Sequence, residues 1–110
     1  MREVYLASSN RHKYEEFRRM LRDLVEVRWI EVDYLEPQSE DLVEVAVTSA
    51  MWLGRHLPKP FFLEDAGLFI RALGGFPGPY SSYVFERLGN EGILKLMSGI
   101  RDRRAEFVSV

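Results

Sequence analysis

At 110 residues, 46% of them hydrophobic and 29% charged, the chain has the composition of one globular domain spanning 1–110, which excludes a disordered or collagen-like polymer. Fifteen basic against 17 acidic residues give no overall positive field for nucleic acid, so a charged ligand must be met by a local site. The absence of cysteine excludes disulfides, zinc–thiolate sites, iron–sulfur clusters and cysteine nucleophiles.

In chain order, residues 2–8 read as a short strand running into Ser8-Ser9-Asn10, a cluster of turn and helix-capping residues. Tyr14, Phe17, Leu21, Leu24 and Val25 then recur at helical spacing, predicting an amphipathic helix from 11 to 24. Residues 25–33 alternate as a strand, with a slip of phase at Trp29-Ile30 that reads as a bulge. Ser39, Glu40 and Asp41 open a second helix, acidic at its positive end. Leu42, Val45, Ala46, Ser49, Leu53 and Leu57 form its buried face, and Pro58 and Pro60 stop it. Phe61-Phe62-Leu63 is a short apolar strand ending in Glu64-Asp65. Three Gly and two Pro within 74–79 argue against regular structure there. Helices at 81–88 and 91–98 follow, with Tyr80, Tyr83, Val84 and Phe85 read as core. Residues 104–110 form a strand with no turn signal after it, as in a severed or shortened chain. Strand and helix alternating at this spacing predict an α/β fold: a mixed, mostly parallel sheet flanked by helices.

Several chemistries find no carrier. There is no phosphate-binding Gly-x-x-x-x-Gly-Lys loop, no Gly-x-Gly-x-x-Gly and no His-Glu-x-x-His. His12 and His56 lack metal-ligand spacing, and no serine sits in a nucleophile elbow. No apolar run approaches the roughly 18 residues of a membrane span. The N-terminus has no signal-like apolar segment, so a cytoplasmic protein without a membrane or nucleic-acid partner is expected.

Two segments carry chemistry. Ser8-Ser9-Asn10-Arg11-His12-Lys13 is a strand-to-helix turn, where free amides and the helix dipole favour an anion and Lys13 adds a point charge. An ordinary helix cap beside a surface lysine is the competing reading. Glu64-Asp65 follows an apolar strand, and in open α/β sheets ligands sit beyond strand C-termini. Adjacent strand residues point to opposite faces, so one of the two carboxylates reaches such a site. One or two carboxylates beside a phosphate cradle suit Mg²⁺; an exposed acidic turn is the competing reading.

Together these residues resemble the N-terminal half of the Ham1/inosine triphosphate pyrophosphatase family. Leu6-Ala7-Ser8-Ser9-Asn10-x-x-Lys13-x-x-Glu16 is similar to the family's opening phosphate loop. Glu64-Asp65-Ala66-Gly67-Leu68, followed by the run from Leu73 to Ser82, resembles its central signature, and Asp102-Arg103-Arg104-Ala105 with Phe107 the start of its next long strand. The resemblance implies a lobe of the ITPase/Maf-like kind. It implies Mg²⁺-dependent hydrolysis of non-standard purine nucleoside triphosphates (ITP, dITP, XTP) to monophosphate and pyrophosphate, by a homodimer. Carried over by position, Ser8, Ser9, Asn10 and Lys13 hold the triphosphate, with Arg11 and His12 in the same turn and Ala66 contributing through its backbone. Glu36 and Asp65 ligate Mg²⁺, and Asp65 is also the general base.

The chain departs from the family at several points. Ala66 stands where Ser or Thr is usual, Ser49 where many relatives carry Lys, and Arg11-His12 where a small residue and Gly precede the lysine. The Gly-Phe-Gly-Tyr-Asp-Pro and Ser-His-Arg segments of the family's second half are missing. A catalytically silent nucleotide-binding or assembly module is therefore the alternative reading.

Overall fold

The computed structural model describes residues 2–110, which fall into two compact units. The first comprises the residues up to Pro37 together with Ala46–Glu64; the second comprises Gln38–Val45 and Asp65–Val110.

In the first unit, β1 (Glu3–Ser8), α1 (Arg11–Leu21) and β2 (Glu26–Glu31) follow one another, and β3 (Phe61–Phe62) completes a parallel sheet of order β2-β1-β3. The central strand is the most apolar at its end: Leu6 and Ala7 are fully buried and Ser8 is nearly so. The apolar stripe of α1 covers this sheet, with Phe17 meeting Phe62 edge to face at 5.1 Å and Tyr14 stacking on Trp29 at 5.4 Å. Leu24, expected on that stripe, lies past the helix end and is exposed. β1 and β2 pair residue for residue from Glu3↔Glu26 to Ser8↔Glu31. The expected bulge is therefore absent. Trp29 and Ile30 are both half-buried because β2 is an edge strand partly covered on each face.

The helix α2 (Leu42–Leu53) begins in the second unit and continues in the first. Asp41 caps it, its Oδ1 accepting the amides of Val43 at 3.0 Å and Glu44 at 3.4 Å. Of its predicted inner face Leu42, Val45, Ala46, Ser49 and Leu53 are buried, whereas Leu57 lies past the helix end and is half-buried.

The second unit is antiparallel. β4 (Ala66–Ile70) pairs with β5 (Pro77–Gly78) and with β6 (Ala105–Ser109) in the order β5-β4-β6, with one 3-10 turn at Arg71–Leu73. The mixed α/β class holds, its parallel part carried by the first unit. The Gly/Pro stretch does contain a strand, because Gly67 and Gly78 let β4 and β5 cross closely: a Cβ on Gly67 would lie 2.5 Å from the Gly78 carbonyl oxygen. Ser81 ties the crossing, its Oγ accepting the Leu68 amide at 2.7 Å and donating to the Gly78 carbonyl at 2.6 Å. The following helix, α3 (Ser81–Leu96), is broken at Gly89 (φ 64°, ψ −176°), where two helices were expected to meet. Of its four expected core residues only Val84 is buried; Tyr80, Tyr83 and Phe85 are exposed. Among the described residues no helix is long and apolar enough to cross a membrane.

Candidate functional site

The turn after β1 is built by its own side chains. Ser8 Oγ accepts the Asn10 amide at 3.0 Å, Asn10 Oδ1 accepts the Lys13 amide at 3.2 Å, and the Asn10 carbonyl accepts the Tyr14 amide at 3.3 Å. Asn10 is extended (φ −103°, ψ 106°) and caps α1 as its residue type predicts. Once these bonds are made, the first-turn amides of Arg11 and His12 have no protein acceptor among the described residues. No acidic side chain occupies the first turn either, so an anion at the positive helix end would meet no like charge there.

The named residues of the turn take different parts. Buried Ser8 shapes it, whereas Ser9, Asn10, Arg11 and His12 are exposed. Arg11 reaches along the helix to Glu15 at 3.3 Å. Lys13 is not a loosely solvated lysine. Its Nζ donates to the Glu64 carbonyl at 2.7 Å and lies 3.2 Å from Glu64 Oε1, with about three-quarters of both side chains covered. Such a charge-assisted pair fixes the ammonium in one place. Glu64 is the residue that sequence reasoning missed as the lysine's partner, since no local pattern links positions 51 apart.

From β2, Trp29 Nε1 donates to the Ser8 carbonyl at 2.9 Å. Glu36 lies exposed in the loop that follows β2.

Asp65 opens the longer segment of the second unit, so the two neighbouring carboxylates belong to different frameworks. Its backbone extends the β4–β6 ladder: its amide donates to the Val110 carbonyl at 2.9 Å and its carbonyl accepts the Val110 amide at 2.8 Å. The side chain is turned inward. Asp65 is 8% exposed, and its Oδ2 is buried without a hydrogen-bond partner. A buried carboxylate oxygen left unpaired is costly, and a cation or an ordered water satisfies it. Ala66, the first residue of β4, is exposed and pairs with Ser109.

Among the described residues no three His, Asp or Glu side chains gather as a metal cluster. Mg²⁺ takes one or two carboxylates and completes its octahedron with water and phosphate oxygens, and the buried Oδ2 of Asp65 is an oxygen of that kind.

Comparison with known sequences fits this geometry. The model of the Ham1 family matches residues 4–110. The chain belongs to the Ham1 family. It is 68% identical over 107 residues to the dITP/XTP pyrophosphatase of Korarchaeum cryptofilum, a match covering 97% of this chain and 58% of that protein. It is 50% identical to the dITP/XTP pyrophosphatase of Methanopyrus kandleri, over 97% of this chain and 57% of the relative. Among solved structures, the Staphylococcus aureus Ham1 protein superposes with a TM-score of 0.75 at 28% identity, covering 98% of this chain and 60% of that one. A Coxiella burnetii HAM1 protein does so with a TM-score of 0.74 at 29% identity, over 100% and 61%. The chain thus spans somewhat under three-fifths of the length of the first two of these Ham1 relatives. The resemblance read from the Ser8–Lys13 and Glu64–Ser82 segments is borne out at the level of family.

Proposed function

We propose that this Ham1 chain hydrolyses dITP, XTP and related non-standard purine triphosphates to the monophosphate and pyrophosphate, with Mg²⁺ as cofactor, as a cytoplasmic homodimer. The single observation that carries the reading is the buried, unpartnered Oδ2 of Asp65 in a chain 68% identical to a dITP/XTP pyrophosphatase. In this reading the amides of Arg11 and His12 and the Lys13 ammonium hold phosphate oxygens. Ser8 and Asn10 keep the turn in shape, Ser9 offers an exposed hydroxyl, and Ala66 contributes its backbone.

Glu36 and Asp65 would hold the Mg²⁺, which when bound neutralises charge on the phosphate oxygens. Asp65 orients the attacking water and takes its proton as the water oxygen bonds to the α-phosphorus and the α–β anhydride breaks. The leaving group is pyrophosphate. Lys13, released from Glu64 by the incoming phosphate, balances the charge that develops on it.

The test is to incubate the chain with dITP or XTP, with and without Mg²⁺, and to separate the products. Monophosphate and pyrophosphate formed only with Mg²⁺ are expected. Orthophosphate as the product, or turnover indifferent to chelation, contradicts the reading, and triphosphate binding without any release makes the chain a binding module instead. Light scattering should report twice the 12.9 kDa chain mass; a particle of monomer mass contradicts the dimer.

A further inference from the structure

The Ser8–Lys13 turn is braced from outside itself by one side chain on the neighbouring edge strand. Trp29 is half-buried on β2 and does two things. Its indole N–H donates to the Ser8 carbonyl at 2.9 Å. The same oxygen accepts the Val32 amide at 3.3 Å, so two donors hold the carbonyl at which β1 ends. Its ring also stacks on Tyr14, with centroids 5.4 Å apart and planes 13° from parallel. Ser8 and Tyr14 bound the turn: one is the last residue of the strand, the other the first whose amide closes a helical bond, onto the Asn10 carbonyl at 3.3 Å. A single rigid ring therefore ties the strand end to the helix start.

We infer that Trp29 is a positioning residue for the triphosphate, acting through the direction in which the Arg11 and His12 amides and Lys13 point. The inference rests on the proposed reading that this turn holds the triphosphate. Backbone amides have no rotamers with which to follow a ligand, so their affinity depends on the helix start being held in place beforehand. The bonds within the turn fix its shape; its tilt against the sheet is held from outside. On the β3 side the Lys13–Glu64 pair and Phe17 on Phe62 hold it. On the β2 side Trp29 does, with a directional bond at one end and a flat contact at the other.

Two variants separate the bond from the stack. Trp29→Phe removes the indole N–H and leaves a ring for Tyr14; Tyr14→Leu removes the stack and leaves the N–H. For each, KM and kcat with Mg²⁺ and dITP would be measured, together with the dissociation constant of inorganic tripolyphosphate. Loss of one hydrogen bond or ring contact is expected to raise KM and the tripolyphosphate constant about three- to tenfold, with kcat within about twofold. Tyr14→Leu carries the test alone should Trp29→Phe not fold. A packing role predicts the reverse split: fewer active molecules and so a lower apparent kcat, with KM and tripolyphosphate binding unchanged. That result overturns the inference. Lys13→Ala distinguishes the two levels of the argument. If it abolishes tripolyphosphate binding while both ring variants bind like the parent, the positioning role fails and the site reading stands. If the parent does not bind tripolyphosphate, or Lys13→Ala binds as well as the parent, the reading and this inference fail together.

Discussion

The two regions that hold the candidate residues are finished to different degrees. Around the turn of the first unit every candidate side chain with a strong role is already engaged: Ser8 with the Asn10 amide, Asn10 with the Lys13 amide, Lys13 with Glu64. At the start of β4 the backbone of Asp65 is fully paired with Val110, yet one of its carboxylate oxygens is buried and unpaired. The turn is held by its own bonds and by Trp29, and offers a ligand only amides and one exchangeable ion pair. At Asp65 one carboxylate oxygen has no hydrogen-bond partner among the described residues. The proposed reading assigns binding to the first of these local frameworks and chemistry to the second.

That contrast breaks most sharply at Asp65. Asp65→Asn keeps the shape and removes the charge, so pyrophosphate release should fall by about two orders of magnitude or more, as loss of an acid–base group commonly does. Its thermal stability should be unchanged or higher, because a buried unpaired charge is removed. Release within threefold of the parent would show that Asp65 is not the base.

Ser81→Ala sharpens the comparison from the structural side. The Leu68 amide and the Gly78 carbonyl would each lose a partner at the β4–β5 crossing. A loss of about 1–2 kcal/mol is expected from chemical denaturation, and an unchanged midpoint would contradict the role given to that hydroxyl.

Ser49 provides the opposite sign. Its hydroxyl is fully buried in α2 without a partner, so Ser49→Ala should stabilise the protein by about 0.5–1 kcal/mol. Destabilisation on the same assay would mean that the hydroxyl has a partner after all.

The smallest effect lies at Asp102, far along the chain from both candidate segments. Hydrogen bonds from Arg104 hold its carboxyl below the usual value of 3.8, with the Arg104 and Arg71 charges adding to the effect. A carboxyl lowered on folding stabilises the protein above its ordinary value and loses that contribution as pH falls through the folded one. The stability difference between the parent and Asp102→Asn should therefore be present at neutral pH and shrink on acidification below about 3.8. A difference independent of pH would exclude the ion pair as its source.

Much of the first unit was legible in the sequence because its signals are local. The Tyr14/Phe17/Leu21 stripe, the Asn10 cap and the small-residue face of α2 follow from periodicities within a dozen residues. The second unit was less so. Ala66–Ile70 has an apolar run fit for a strand, but β5 is two residues long and exists because Gly67 and Gly78 can touch and Ser81 can link Leu68 to Gly78. Those are specific contacts made across a turn, which hydrophobic periodicity does not register. The aromatic residues after Pro79 misled for the same reason: helical spacing alone does not say which face of α3 is covered, and only Val84 is. At the candidate site, the residue types were readable from the motif, whereas the Lys13–Glu64 pair and the Trp29 bond to Ser8 were not. The edge position of β2 also erased a bulge that the alternation had implied.

The central claim, that the turn holds phosphate and Asp65 holds the cation, is tested most directly by thermal unfolding of three proteins with two ligands. A ligand that binds only the folded state stabilises it by RT ln(1 + c/Kd) at free ligand concentration c. Tripolyphosphate should raise the unfolding temperature of the parent and of Asp65→Asn but not of Lys13→Ala, and Mg²⁺ that of the parent and of Lys13→Ala but not of Asp65→Asn. A tripolyphosphate shift that survives Lys13→Ala, or a Mg²⁺ shift that survives Asp65→Asn, would contradict the account.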